Sequence, residues 1–313
     1  MVSEPPGKVG LSRTIPSARG STVDRPVPHV IASFFTIAGD TQLEFVGGTE
    51  VSPFDLRERI EVAARGGFSG IGFGDKDLGF WLTRYPLPLI RTLLADNGIG
   101  TVEIETIFDW FTEGDRRIAS DEHTKVILGW AAELGALHVK ATTDLSGAHF
   151  EHDHLVSEWA KLCAEAAEAG TRVALEPMPP ATIKTPAQGL SVLKEAGAHN
   201  AGLMLDIWHV HRAGVPFDEL RAIPPEWIAG VELGDAYTHP VNGDLVHDGL
   251  NHRLLPGTGE LDVTGFIRAV LAAGYRGAFG SEIFSIENRA RSLEEAVEAN
   301  YSAAAAALAK ATG

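Results

Sequence analysis

Short apolar runs and longer amphipathic segments alternate along the chain from Pro28 onward. The short runs are bounded by Gly or turn residues, the pattern of parallel strands buried on both faces. They predict strands over 29–34, 69–73, 101–106, 137–141, 172–176, 202–206, 228–233 and 277–282. Between them the chain predicts helices over 54–65, 87–96, 120–134, 155–169, 187–196, 217–222, 262–273 and 293–310. Ser52-Pro53 has the character of a helix start. Asp262 is placed as an N-cap, and Gly135, Gly170, Gly197 and Gly274 as C-terminal stops.

Strict alternation of strand and helix implies a parallel sheet with helices outside it. Eight such units predict an α/β chain folded as a single (β/α)8 TIM barrel. The alternative, an open doubly wound sheet, is weakened because no G-x-G-x-x-G follows a strand. Gly70, Gly72 and Gly74 alternate inside the second strand, where glycine lets a neighbouring backbone or ligand come close. No internal linker divides the chain, so 28–313 is predicted as one barrel domain. Residues 1–27 carry Pro5, Pro6, Pro16, Pro26 and several Ser without the apolar stretch of a secretory signal. They predict a flexible N-terminal leader that packs little, with an arm over a neighbouring subunit as the alternative.

Charge narrows the partners. Lys and Arg number 26 against 42 Asp and Glu, a net charge of −16. Phosphate binding needs a basic face, so nucleic acid and anionic membrane are excluded as main partners. No apolar run reaches the length of a bilayer span. The single Cys163 rules out an internal disulfide framework and a multi-cysteine metal site, and suits a reducing, cytoplasmic setting.

In a barrel, chemistry collects where the strands end. Glu176, Asp206, Glu232 and Glu282 stand at or near the ends of strands five to eight. One such carboxylate is commonly half of a structural ion pair. Four converging would repel one another unless a cation sat between them, so they are the predicted metal ligands. Oxygen-rich ligation selects hard ions, with Mn²⁺ or Mg²⁺ expected and Co²⁺ or Zn²⁺ as alternatives. His209, on the loop predicted after Asp206, is placed to handle a proton or orient a hydroxyl, with His211 as its substitute. Arg253 lies in the long 251–262 loop and is a candidate grip for a carboxylate or a row of hydroxyls. Lys140 ends the fourth strand and either polarises a carbonyl or neutralises the carboxylates. Trp81, Trp110 and Phe111 follow strands two and three. Trp110 is retained as a sugar-stacking candidate beside the alternative of core packing. Glu103 and Glu105 share one strand face, and Glu105 alone is placed near the mouth.

Taken in order, 174–177 (ALEP), 202–209 (GLMLDIWH), 255–262 (LPGTGELD), 274–277 (GYRG) and 281–283 (SEI) resemble the xylose isomerase-like TIM barrel superfamily of sugar-phosphate isomerases and epimerases. The resemblance covers roughly 28 to 310 of the chain. It implies a divalent metal held by Glu176, Asp206 and Glu282. At the strand-seven position, where many members have His, this chain has Glu232. Dehydratases of the 3-dehydroshikimate type carry Gln there, and 231–236 resembles that branch. Repair endonucleases of the same superfamily need further His ligands and a DNA-facing surface, which the charge opposes.

The function implied is metal-dependent isomerisation or epimerisation of a sugar or polyol-derived ketone through an ene-diolate. Glu176 and Glu282 would exchange the proton. The first rival is a lyase acting on an inosose, a dehydroshikimate-like ring or a carbon-linked glycoside. The second is a non-catalytic sugar-binding subunit. Expected partners are a small sugar or cyclic polyol and, as an open possibility, further copies of the chain.

Overall fold

A computed structural model describes residues 29–144 and 148–313. The predicted leader, 1–27, lies outside the described residues. Eight parallel strands close into a barrel in sequence order: β1 (Val30–Ala32), β2 (Gly70–Gly74), β3 (Thr101–Ile107), β4 (His138–Ala141), β5 (Val173–Leu175), β6 (Ala201–Asp206), β7 (Ile228–Leu233) and β8 (Phe279–Ser281). β1 pairs with β8 through Ile31 and Gly280, which removes both sheet edges. The (β/α)8 barrel expected from the alternation is therefore the observed fold.

Outward-facing Phe73, Ile104, Val139 and Val231 pack under the helices with Ile60, Trp159 and Phe266, all buried. The predicted helices are all present. The one predicted over 120–134 starts earlier, at Gly114. Helix Leu56–Arg65 is capped by Asp55, whose side chain accepts from the Arg57 N–H, and not by Ser52. Ser52 is engaged elsewhere: its hydroxyl donates to the Ala38 carbonyl at 2.8 Å. Asp262 does cap its helix, accepting from the Gly265 N–H at 2.8 Å. The predicted first strand ends early because Phe34–Ile37 is already helical. Short helices Asp75–Trp81, Ile207–Arg212, Leu245–Asn251 and Ile286–Arg289 occupy segments where none was predicted. No helix among the described residues is long and apolar enough to cross a membrane.

The barrel interior is charged rather than oily. Side chains two apart on a strand share a face. β3 thus turns Glu103 and Glu105 inward, and β4 turns His138 and Lys140 inward, where they meet. Glycines on neighbouring strands make the room. A Cβ at Gly72 would lie 3.1 Å from Glu103 Oε1, and one at Gly280 would lie 2.9 Å from Glu232 Cγ.

Beyond β7, Asp235 organises the loop that follows. Its Oδ2 accepts from the N–H groups of Gly257 and Gly259, and its Oδ1 from those of Ala236 and Leu261. A Cβ at Gly259 would lie 2.4 Å from Asp235 Oδ1, so Gly259→Ala must dislodge this clamp. The expected result is a loss of about 1–3 kcal/mol in unfolding free energy, read as a lower urea midpoint.

Candidate active site

The β5 ladder runs one residue past the strand: the Glu176 N–H donates to the Ala141 carbonyl at 2.9 Å. The Glu282 N–H likewise donates to the Leu233 carbonyl at 3.0 Å. Both carboxylates are thereby fixed at the mouth by backbone pairing. Asp206 ends β6 and caps the next helix, its Oδ1 accepting from the N–H groups of Trp208 (2.5 Å) and His209 (3.2 Å). His209 therefore stands in the first turn of a helix and not on a loop. Its Nε2 lies 3.6 Å from Glu176 Oε1. His211 points away, with Nε2 3.2 Å from the Thr238 carbonyl oxygen. Glu232 is fully buried on β7, and its Oε1 accepts from the Ser33 hydroxyl at 2.9 Å.

Two cations are built into this acidic cluster. Lys140 Nζ contacts Glu232 Oε1 and lies 3.1 Å from Glu282, 3.4 Å from Glu105 and 3.8 Å from Glu103. It is 1% exposed, beneath the cavity, so of its two predicted roles the geometry supports neutralisation and corrects that of substrate contact. Arg253 is set in place by backbone pairing on both sides. Its N–H donates to the Phe284 carbonyl at 3.1 Å, and Leu254 bridges to Asp235. Its guanidinium donates to Asp206 Oδ2 (2.5 Å), Glu282 Oε2 (2.9 Å) and the Gly249 carbonyl (3.0 Å), and lies 5.2 Å from the ring centroids of Trp208 and Phe284. It lines the cavity as an internal counter-ion whose donors are largely engaged.

The sugar-stacking expectation for Trp110 is corrected. Its indole N–H donates to the Thr142 carbonyl at 2.9 Å, and its ring packs edge-on against Phe111 and Trp159 in the core, outside the cavity. Trp81 is also a core neighbour. Glu105 lines the cavity and Glu103 sits deeper beside His138, at 3.2 Å, as the face-sharing argument placed them. Sequence reasoning missed Ser33, the clamp at Asp235, and the Trp208–Arg253–Phe284 stack.

Six buried carboxylates (Glu103, Glu105, Glu176, Asp206, Glu232 and Glu282) thus face two permanent cations. Their ionisation divides accordingly. Burial raises the Glu103 carboxyl, but the Lys140 charge and His138 outweigh it and hold the group down at about 2. Burial pushes Glu105 up to about 7 against the pull of Lys140. Burial, with the charge of Glu282 beside each, drives Glu176 and Glu232 well above the usual carboxylate range. Burial and then the charge of Arg253 keep His209 well below its usual range, so it is neutral at pH 7.

Glu176, Asp206, Glu232 and Glu282 each offer an oxygen within 4.8 Å of the others. Glu176 Oε1 and Glu232 Oε2 are buried without a hydrogen-bond partner. Unpartnered buried carboxylate oxygens in excess of local positive charge are what a hard divalent cation satisfies. The donor set fits such an ion. Glu176, Asp206 and His209 form a second, overlapping group within the same distance limit.

Above the carboxylates lies a cavity with about 890 Å³ of free space, its open mouth included. Glu105, Glu176, His209, Arg253 and Glu282 form its floor, and residues from the loops form its walls.

A family described as xylose isomerase-like TIM barrel matches residues 60–306. A 3-dehydroshikimate dehydratase of Pseudomonas putida is 27% identical over 236 residues, 74% of this chain and 36% of that protein. The chain therefore spans little more than a third of that relative's length. An inosose isomerase of Halalkalibacterium halodurans is 30% identical over 131 residues, 41% of this chain and 45% of that protein. Among solved structures, an IolI protein with a bound zinc atom superposes with a TM-score of 0.77 at 18% identity, covering 90% of this chain and 98% of that one. At that identity the likeness is one of fold.

Proposed function

The chain belongs to the xylose isomerase-like TIM barrel family, and from that premise we propose that it is a divalent-metal-dependent isomerase or epimerase of a sugar or polyol-derived ketone. The observation that carries the reading is the quartet of buried carboxylates beneath an open cavity, two of its oxygens lacking any partner. Glu176, Asp206, Glu232 and Glu282 would hold the metal. With Glu at the β7 position the set is all oxygen, which favours Mn²⁺ or Mg²⁺ over softer ions. When bound, the ion supplies Lewis-acid polarisation of a carbonyl oxygen, which acidifies the neighbouring C–H.

The protein's own groups do the rest. Glu176 and Glu282 directly follow β5 and β8 and both line the cavity, so both can reach a bound ring. Glu176 Oε1 is free of hydrogen bonds and burial holds its carboxyl well above the usual range, which suits a group that takes up and returns a proton. Glu282 accepts from Lys140 at 3.1 Å and Arg253 at 2.9 Å, which fix its carboxylate in place, and serves as the second base. Neutral His209, with Nδ1 unpartnered, orients a substrate hydroxyl. Arg253 and Lys140 fix the carboxylates rather than grip substrate.

A second reading, β-elimination of water from the same deprotonated ketone, is favoured by one observation. The relative aligned over the larger share of the chain is a dehydratase. One experiment separates the two. The Mn²⁺-loaded protein is incubated with a panel of ketoses and inososes in D₂O and followed by NMR and mass spectrometry. The expected result is solvent deuterium at one carbon with conversion to an isomer. Loss of 18 mass units instead assigns the lyase, and absence of exchange across the panel with metal present removes the reading.

A further inference from the structure

The carboxylate floor accounts for one end of a substrate, and the walls above it have a different character. Leu43 and Phe45 come from the loop after β1, Phe108 follows β3, Met178 follows β5, and Val246 and Leu250 belong to the helix Leu245–Asn251 after β7. These walls are apolar on several sides. Phe45 is 59% exposed and Phe108 is 41% exposed, so two aromatic faces stand uncovered at the lip. A small sugar or inositol ring seated on the floor would leave the outer apolar walls, Phe45 and Phe108 above all, without a partner.

The charges of the lining point the same way. Its acidic members are Glu105, Glu176 and Glu282 on the floor and Glu50 and Asp75 higher up. Glu50 accepts from the Glu44 N–H at 2.9 Å, and Asp75 lies 3.1 Å from His123. Among the described lining residues the only Lys or Arg is Arg253, already donating to Asp206, Glu282 and Gly249. Away from the metal, a phosphate or carboxylate on the substrate would meet Glu50 and Asp75 with no Lys or Arg beside it among the described lining residues of the walls, inside a chain of net charge −16.

We propose that the substrate is an uncharged polyhydroxylated ring bearing an apolar substituent of aromatic size, the ring on the carboxylate floor and the substituent between Phe45, Phe108 and the aliphatic walls. This inference rests on the isomerase reading for where the polar end lies. It sets that reading apart from acid-bearing rings such as the dehydroshikimate of the relative above. Aromatic faces at the lip hold a flat apolar group by offset or edge contact and by removing its surface from water.

The test measures binding to the Mn²⁺-loaded full chain by isothermal titration calorimetry. The probes are methyl β-D-glucopyranoside, phenyl β-D-glucopyranoside and D-glucose 6-phosphate. Phenyl glucoside is expected to bind at least tenfold more tightly than methyl glucoside, and the phosphate more weakly than either. The double variant Phe45→Ala/Phe108→Ala alters two exposed side chains and is expected to bring the phenyl-to-methyl ratio close to one. Equal affinities for the two glycosides, tightest binding of the phosphate, a ratio unchanged in the double variant, or no binding of either glycoside each overturn the proposal. Binding selectivity and deuterium exchange are read separately. A protein that prefers the phenyl glycoside but exchanges no deuterium loses the proposed reaction and keeps this specificity.

Discussion

Replacing Glu176 by Gln is expected to lower turnover by about 10²–10⁴-fold while leaving the fold as stable as before or more so. The two effects have one origin. Glu176 is buried, its Oε1 has no hydrogen-bond partner, and the charges of Glu282 and Asp206 stand beside it. A carboxylate so placed is a cost to the folded chain. An amide of the same shape removes that cost and removes with it the group that moves the proton and a ligand for the metal. Steady-state turnover of the metal-loaded variant, set beside its urea unfolding curve, checks both halves. Turnover within tenfold of the parent, with an unchanged unfolding curve, would exclude Glu176 from the chemistry.

The second large effect is one of stability. Lys140→Met removes a buried cation in contact with Glu232 and within 3.8 Å of Glu103, Glu105 and Glu282. Breaking a buried ion network by deleting one partner costs about 3–5 kcal/mol, because the remaining charges are left uncompensated. Against a typical net stability of about 5–15 kcal/mol, that is a large fraction of the whole.

The loss should depend on pH, and the sign follows from linkage. Glu105, Glu176 and Glu232 have carboxyls raised above their unfolded values, so the native state binds more protons than the unfolded chain. Their contribution to stability is full below the ordinary carboxylate value near 4.5 and fades as pH rises, for Glu105 through about 7. His209 acts in the opposite sense, since its folded value is depressed, but its contribution is complete once the pH exceeds the ordinary histidine value of 6.5. Above that point the carboxylates act unopposed. Without Lys140 they rise further, so the variant should lose more stability at pH 8 than at pH 6. Urea unfolding of the metal-free parent and variant at the two pH values measures this. An equal loss at both would show that Lys140 does not compensate these glutamates.

Much of this site is legible in the amino-acid sequence because a barrel ties chemistry to the ends of apolar runs. Glu176, Asp206, Glu232 and Glu282 each terminate or closely follow such a run, and the closed parallel sheet brings them together. That Glu103 and Glu105 share a face follows from strand periodicity, and their contacts with His138 and Lys140 show that the face is the inner one. What stays hidden depends on contacts between segments far apart in the chain. Arg253 becomes a counter-ion because its loop is pinned to Asp235 on one side and Phe284 on the other, and nothing local to 251–262 reveals either partner. Lys140 could be placed on an inward face, but how many carboxylates meet it depends on which residues of β3, β7 and β8 lie at its height.

Aromatic residues after a strand do not announce which side of the strand end they take. Trp110 turns to Trp159 and the core. Phe108, two residues earlier and not singled out beforehand, lines the cavity. The short helices escaped because four to seven residues complete too few turns to display a period. Ser52 and Asp55 illustrate a further limit. Both are competent caps; Asp55 directly precedes the helix and takes the role, while the Ser52 oxygen accepts from the Phe54 N–H three residues upstream of Arg57.

One divalent ion is expected among the four carboxylates at the C-terminal rim of the barrel. Anomalous diffraction from crystals grown with Mn²⁺ addresses it without reference to turnover. A single strong peak within coordination distance of Glu176, Asp206, Glu232 and Glu282, lost in a Glu232→Ala crystal, is the predicted result. A map with no peak there, and the carboxylates keeping the protein contacts described above, would contradict it.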